Sequence, residues 1–204
     1  MTELVLVRHG ETVWHHDNRY AGRSDVALTD RGRDQAEQLA RWAGITRIDA
    51  VHTSPLQRAR DTAEPAGRAL GVAVAVDERL VEVDFGRGDG LTRDEMRERF
   101  PAELDEFLAA PASSPLPGGE PGADAVARAR PALDEAVSRH PDGTVLVVGH
   151  QTLLRLLLCA LLEVPLDRYR TVFPRLENGA RTVVRVPDGG APGLLVLNAP
   201  LAAP

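Results

Sequence analysis

Two aliphatic runs constrain this chain more than any other feature: Leu4-Val5-Leu6-Val7 near its start and Thr144-Val145-Leu146-Val147-Val148 far along it. Both are rich in β-branched residues, and both read as buried strands. Each stops abruptly beside a glycine and a histidine, at Arg8-His9-Gly10 and at Gly149-His150. In open α/β sheets ligands bind at the carboxyl ends of such strands. Gly10 lets the backbone turn sharply and approach a ligand closely. Arg8 can hold an oxyanion through two parallel hydrogen bonds. His9 can serve as nucleophile, proton carrier or metal ligand near neutral pH.

The stretch after the first strand, Val13 to Ser24, is polar and aperiodic and reads as a loop. Loops at a strand's carboxyl end commonly carry binding groups. Asn18, Arg19 and Arg23 can contact an anion there, although a solvated loop accounts for them equally. His15 and His16 are adjacent, and neither stands four residues from His9 as in helical zinc motifs, so no metal site is expected. Thr29 or Asp30 then caps an amphipathic helix with Ala36, Leu39, Ala40 and Ala43 on one face, ending at Gly44. Ile48–His52 reads as a second strand. Thr53-Ser54-Pro55 is expected to open the next helix, with serine as cap and proline at the first position. Arg58 lies off that helix's apolar stripe, near its first turn.

Gly71 ends this helix, and 72–76 reads as a third strand. Glu82 and Asp84, two residues apart, would share one face of an extended segment. A carboxyl held beside a phosphate pocket is a candidate proton donor. Gly86, Gly88 and Gly90 predict an irregular loop with close backbone contacts. Residues 94–110 predict one or two helices broken at Pro101. Pro111–Gly122 reads as a flexible surface loop, and the wider stretch 92–122 is a candidate lid. A helix over 123–139 leads into the strand ending at His150. The helix after it has free backbone N–H groups at its start, suited to an anion, with Arg155 one turn in. Thr182–Val186 and Leu194–Leu197 close the sheet, and the 204 residues form one domain.

Bulk composition narrows the function classes. A net charge of −6 argues against nucleic acid or a membrane surface as partner. The one cysteine, Cys159, sits in an apolar run and reads as a small buried side chain, which makes a reducing cytoplasm the expected compartment. The apolar stretch Leu156–Leu162 is too short to span a bilayer.

Four segments, taken together and in this order, resemble the histidine phosphatase superfamily, the phosphoglycerate mutase-like enzymes. They are Leu6-Val7-Arg8-His9-Gly10-Glu11-Thr12, Ser54-Pro55-Leu56-Gln57-Arg58-Ala59, Leu80-Val81-Glu82-Val83-Asp84-Phe85-Gly86 and Val148-Gly149-His150. The resemblance covers nearly the whole chain. It implies an α/β fold, a three-layer α/β/α sandwich with a central, mostly parallel sheet. It also implies phosphoryl transfer through a phosphohistidine with no metal or other cofactor. By this resemblance His9 is the nucleophile, Glu82 the proton donor, and Arg8, Arg58 and His150 the charges that neutralise the phosphoryl oxygens. Thr12, His15, Asn18, Gly22 and Gln151 complete the expected phosphate pocket.

Three positions depart from the family's pattern. Gln151 stands where glycine often follows the second histidine. Gly88-Asp89-Gly90 replaces a Trp-Glu-Gly, removing one expected aromatic wall. His15 occupies the place of a phosphate-contacting asparagine and brings a side chain able to carry charge. The expected partner is a small phosphomonoester; a homodimer is left open. The reaction expected is hydrolysis. A phosphoglycerate mutase and an α-ribazole phosphatase-like enzyme are the alternatives, with an inactive phospho-ligand-binding regulator behind them.

Overall fold

A computed structural model describes residues 1–201; the last three residues of the expected domain, 202–204, lie outside the described residues. Six strands form one sheet in the order β3-β2-β4-β1-β5-β6. β1 (Thr2–Arg8), β2 (Ala50–Thr53), β3 (Val74–Val76) and β4 (Thr144–Gly149) run parallel, and β5 (Arg181–Val186) and β6 (Gly193–Ala199) close one side antiparallel.

The alternation of side chains across each strand explains the layers. Leu4 and Leu6 of β1, with Val145 and Val147 of β4, pack into one core, while Val5, Val7, Leu146 and Val148 point into the other. The second core is filled by Leu39 and Ala43 of α1 (Asp30–Gly44) and by Ala59, Ala63 and Ala66 of α2 (Gln57–Leu70). Small alanines let these two helices lie close to each other and to the sheet. The first core holds α3 (Arg93–Arg99), α4 (Pro101–Ala109), α5 (Gly122–Arg139), α6 (Gln151–Leu161) and α7 (Tyr169–Val172). Both faces of the sheet are covered, as the three-layer expectation requires.

The crossovers place the site. β1 and β4 are neighbours, yet the chain leaves β1 toward α1 on one face and leaves β4 directly into α6 on the other. The two connections diverge and open a crevice at the carboxyl ends of these strands. Register then decides which residues meet there: Arg8 pairs with Gly149, and the His9 N–H donates to the Gly149 carbonyl at 2.9 Å.

Three local expectations are corrected. α2 begins at Gln57, not at Pro55, and its N-cap is Leu56. Ser54 is withdrawn from capping because its hydroxyl accepts from the Leu56 N–H and meets His150. The 111–122 segment does not lie free on the surface but is anchored in the core. Ala112 and Leu116 are buried in the core, and the Gly122 N–H donates to the Ala112 carbonyl. Gly86, at φ +51°, sits so close to Pro117 and Gly118 that an added Cβ would lie 2.4 Å from each. The glycine-rich loop thus seals against 117–119. Of the stretch 92–122, Thr92, Arg93 and Asp94 reach the crevice.

The turn after β1 is held by an equally close contact. A Cβ on Gly32, in the first turn of α1, would lie 2.1 Å from the Glu11 carbonyl oxygen. In a free helix, glycine to alanine stabilises by about 0.5–1 kcal/mol. Here backbone overlap outweighs that gain, so Gly32→Ala should destabilise the protein by about 2 kcal/mol or more. At Gly44, where nothing lies within 4 Å, alanine should be neutral or mildly stabilising. Urea unfolding of the two variants against wild type measures the contrast; equal effects would show that the contact does not constrain the turn.

Candidate active site

The crevice is a cleft of about 670 Å³. Arg8, His9, Thr12, His15, Asn18, Glu82 and Gln151 line it, which brings together residues from distant parts of the sequence. His9 is buried at its floor, 5% exposed. Its Nδ1 lies 2.7 Å from the Gly10 carbonyl oxygen, which can only accept, so Nδ1 carries the proton. Nε2 therefore keeps its lone pair. Burial, then the charges of Arg58 and Arg8, hold the imidazolium form of His9 far below the ordinary histidine range. The ring is neutral at neutral pH, as an attacking nitrogen must be. Asn178 fixes the backbone beneath it by donating to the His9 carbonyl at 2.8 Å.

Arg8 lies alongside. Its Nη1 donates to Gln151 Oε1 at 2.9 Å and to the Leu176 carbonyl at 2.8 Å. Its Nη2 lies 2.6 Å from His15 Nε2. A guanidinium only donates, so His15 Nε2 accepts. Burial first, and Arg8 second, push the His15 pKa down to about 4. His15 is thus a neutral acceptor beside Arg8, and the cationic character open to it in the sequence is corrected. Gln151 likewise acts on Arg8 through its side chain. Burial lowers the pKa of Arg8 itself to about 10.

Arg58 and His150 lie behind this surface; both are fully buried and neither lines the open cleft. Arg58 Nη1 donates to the Ser24 carbonyl at 2.8 Å, and Nη2 to those of Gly22 at 2.9 Å and Ala21 at 3.2 Å. Gly22, expected on the phosphate pocket, instead tethers Arg58. Its N–H donates to Asp89, which also accepts from the Ser24 N–H and hydroxyl. Asp89, in the Gly88-Asp89-Gly90 departure, thereby ties the first loop to the glycine-rich loop. The expected loss of an aromatic wall is offset by Tyr20 and Phe85, which line the cleft with ring centroids 5.0 Å apart. The His150 ring lies 5.2 Å from that of His9, and its Nε2 is 2.8 Å from Ser54 Oγ.

Glu82 is 4% exposed and sits on the start of α6. Its Oε2 accepts from the Thr152 N–H at 3.0 Å, and its Oε1 from the Leu153 and Val83 N–H groups at 2.8 Å. The helix start expected to hold a ligand anion thus already holds the Glu82 carboxyl group. Asp84 departs from its expected partnership with Glu82: its side chain accepts from the Gly86 N–H and lines no part of the cleft. Sequence reading also passed over Ser54, Thr62 and the 173–180 segment. Thr62 Oγ1 accepts from the Gly10 N–H and Leu176 holds Arg8. No local signal marks these residues, because they act through partners remote in sequence.

Arg8 Nε, Arg58 Nε and His150 Nδ1 are buried with no hydrogen-bond partner among the described residues. A buried polar group left unpaired costs about 1–3 kcal/mol. All three belong to residues whose charges or rings surround His9. Such a set of donors is suited to an oxyanion. Among the described residues, no group of three or more His, Cys, Asp or Glu side chains is placed to hold a metal ion. No described helix is long and apolar enough to cross a membrane.

Comparison with known proteins gives this geometry its family. The histidine phosphatase superfamily (branch 1) matches residues 4–199, and the chain belongs to that superfamily. It is an enzyme of the phosphoric monoester hydrolase class. It is 34% identical over 169 residues to phosphoserine phosphatase 1 of Hydrogenobacter thermophilus, covering 83% of this chain and 80% of the relative. To a Mycobacterium tuberculosis relative named bifunctional protein Rv2228c it is 43% identical over 166 residues, 79% of this chain but 44% of that longer protein. The solved native structure of a mycobacterial glucosyl-3-phosphoglycerate phosphatase superposes with a TM-score of 0.88 at 30% identity, covering 97% and 98% of the two chains.

His9 and His150 are both buried in the neutral form, which corrects the charge expected on His150: burial first, then Arg58, disfavours its imidazolium. The unfolded chain protonates them near the ordinary histidine value of 6.5, so below that pH it binds more protons than the folded chain. Stability should therefore fall as pH drops from about 6.5 to 5, by about 1.4 kcal/mol per pH unit for each histidine once the unfolded form is charged. Denaturant unfolding across this window, with His9→Asn to remove one contribution, reads the slope. A flat profile would mean that the rings are charged in the folded protein.

Proposed function

We propose that this enzyme hydrolyses a small phosphorylated metabolite through a phosphohistidine on His9, without a metal ion. The observation that carries the reading is the tautomer of His9, whose neutral ring keeps the Nε2 lone pair free. In this mechanism Nε2 attacks phosphorus in line with the ester oxygen. Arg8, Arg58 and His150 stabilise the equatorial oxygens, the groups whose buried donors lack partners. Ser54 accepts from the Leu56 N–H, so its hydroxyl proton can go to His150 Nε2, leaving Nδ1–H to donate to the phosphoryl group. Glu82 must enter the reaction protonated: its proton goes to the leaving alkoxide, and the carboxylate so formed takes one from the water that attacks the phosphohistidine. The cationic side chains supply the charge neutralisation, and the single buried cysteine suits a reducing compartment such as the cytoplasm.

Hydrolysis is favoured over mutase chemistry by the first loop. Mutases of this family carry threonine before the loop glycine to contact the substrate; here Ala21 lines the cleft at that place. A methyl group cannot donate a hydrogen bond, and a bond to a charged group is worth about 1.5–3 kcal/mol. With phosphoglycerate and traces of the bisphosphate, phosphate release should exceed isomer formation; faster isomerisation would establish the mutase instead.

His9→Ala should keep less than about 1% of wild-type turnover while still binding vanadate. Rapidly quenched wild-type enzyme should carry an acid-labile, base-stable phosphoryl group, and activity should survive excess chelator. Substantial turnover by the alanine variant would remove His9 from the nucleophile's role. For Glu82→Gln, alkyl phosphates should suffer about 100-fold or more while nitrophenyl phosphate, with its good leaving group, suffers far less. Equal losses on both would show that Glu82 is not the proton donor.

A further inference from the structure

Beyond the phosphate end, the cleft-lining arginines that the reaction above does not use include Arg155 of α6 and Arg170 of α7. Arg155 is 5% exposed. Its Nε donates to the Gln151 carbonyl and its Nη1 to those of Phe173 and Pro174. Its guanidinium lies 4.7 Å from the centroid of the Tyr169 ring, and that of Arg170 lies 5.5 Å from the same ring. Arg170 also stacks on Phe107 at 4.4 Å and donates to the Tyr169 hydroxyl at 3.0 Å. Carbonyls and aromatic faces thus hold both cations rigidly.

Neither arginine forms an ion pair among the described residues. Half-buried Arg19, Arg79 and Arg128, by contrast, are paired with Glu95, with Asp77 and Glu135, and with Glu120. Two like charges flanking one ring repel each other, and Arg170 adds to the burial that makes the charged form of Arg155 harder to hold. None of the acids that line the cleft pairs with either arginine, although the charge of Glu82 partly offsets the cost on Arg155. Glu82 is held by backbone N–H groups, Asp17 faces His16 and Arg19, and Asp94 stands exposed in the first turn of α3. A preorganised pair of guanidinium groups with no carboxylate partner is complementary to an oxyanion.

We infer that Arg155 and Arg170 form a second anion subsite, which selects phosphomonoesters carrying a further carboxylate or phosphate. The inference rests on the phosphatase reading and deepens it. The phosphoryl group sits over His9 between Arg8 and His150. The second oxyanion reaches Arg155 and Arg170, and Tyr20 and Phe85 flank the carbon skeleton between them.

The test compares substrates that differ only in the second anion. Phosphoserine and phosphoethanolamine differ by one carboxylate; propanediol bisphosphate and its monophosphate differ by one phosphate. Wild type should favour the more anionic member of at least one pair by about 10- to 100-fold in kcat/KM, the worth of a charge-assisted hydrogen bond. Whichever pair shows the preference identifies the second anion. Arg170→Gln should reduce that preference about tenfold, chiefly through KM, and Arg170→Lys should restore part of it. Arg170 is the primary target because Arg155 is buried, and circular dichroism checks that each variant is folded. No preference in either pair, or parallel losses on both members in the glutamine variant, overturns the subsite while leaving the phosphatase intact. Failure of wild type to hydrolyse these esters and nitrophenyl phosphate alike overturns both readings.

Discussion

The parallel pairing of β1 with β4 is the constraint on which the rest of the structure depends. It aligns Arg8 with Gly149 and lets His9 donate to the Gly149 carbonyl. Two histidines separated by 141 positions thereby end neighbouring strands, with rings 5.2 Å apart. A shift of one residue would turn Arg8 toward the opposite face and exchange the two cores, because side chains alternate along a strand. The aliphatic alternation Leu4, Val5, Leu6, Val7 fills both cores and so opposes such a slip.

Around that pairing the protein buries an unusual density of charge. Arg8, Arg58 and Glu82 are each under 9% exposed, and of the acids Glu82 acts most strongly on both cations. Isolated burial of any of them would be costly. The cost is spread over backbone groups: three N–H groups serve Glu82, three carbonyls serve Arg58, and the Leu176 carbonyl serves Arg8. Backbone partners carry no net charge. The two guanidinium groups therefore keep their positive potential at His9, and that potential, together with burial, holds both histidines neutral.

The loops are tied to this centre. Arg58 gathers 21–24 from beneath while Asp89 pins Gly22 and Ser24 from the side. The glycine-rich turn at 86–88 is sealed against 117–119. The region that composition marks as mobile is consequently part of the wall that supports Phe85.

By itself the sequence determined the strands, the helices other than α7 and their order, because hydrophobic period, caps and breakers act over a few residues. It also determined the chemical residues at strand ends, Arg8, His9 and His150, since polar side chains that interrupt a buried run stand out locally. Tertiary structure alone decided who faces whom. Glu82 separates from Asp84 because its carboxylate meets the α6 N–H groups from 70 residues away. Ser54 leaves its expected helix cap for His150, and Gly22 anchors Arg58 instead of a phosphate. His15 is neutral only because folding buries it against Arg8. Charge state, tautomer and partner depend on burial and on groups brought in from remote parts of the chain, and neither is written in local periodicity.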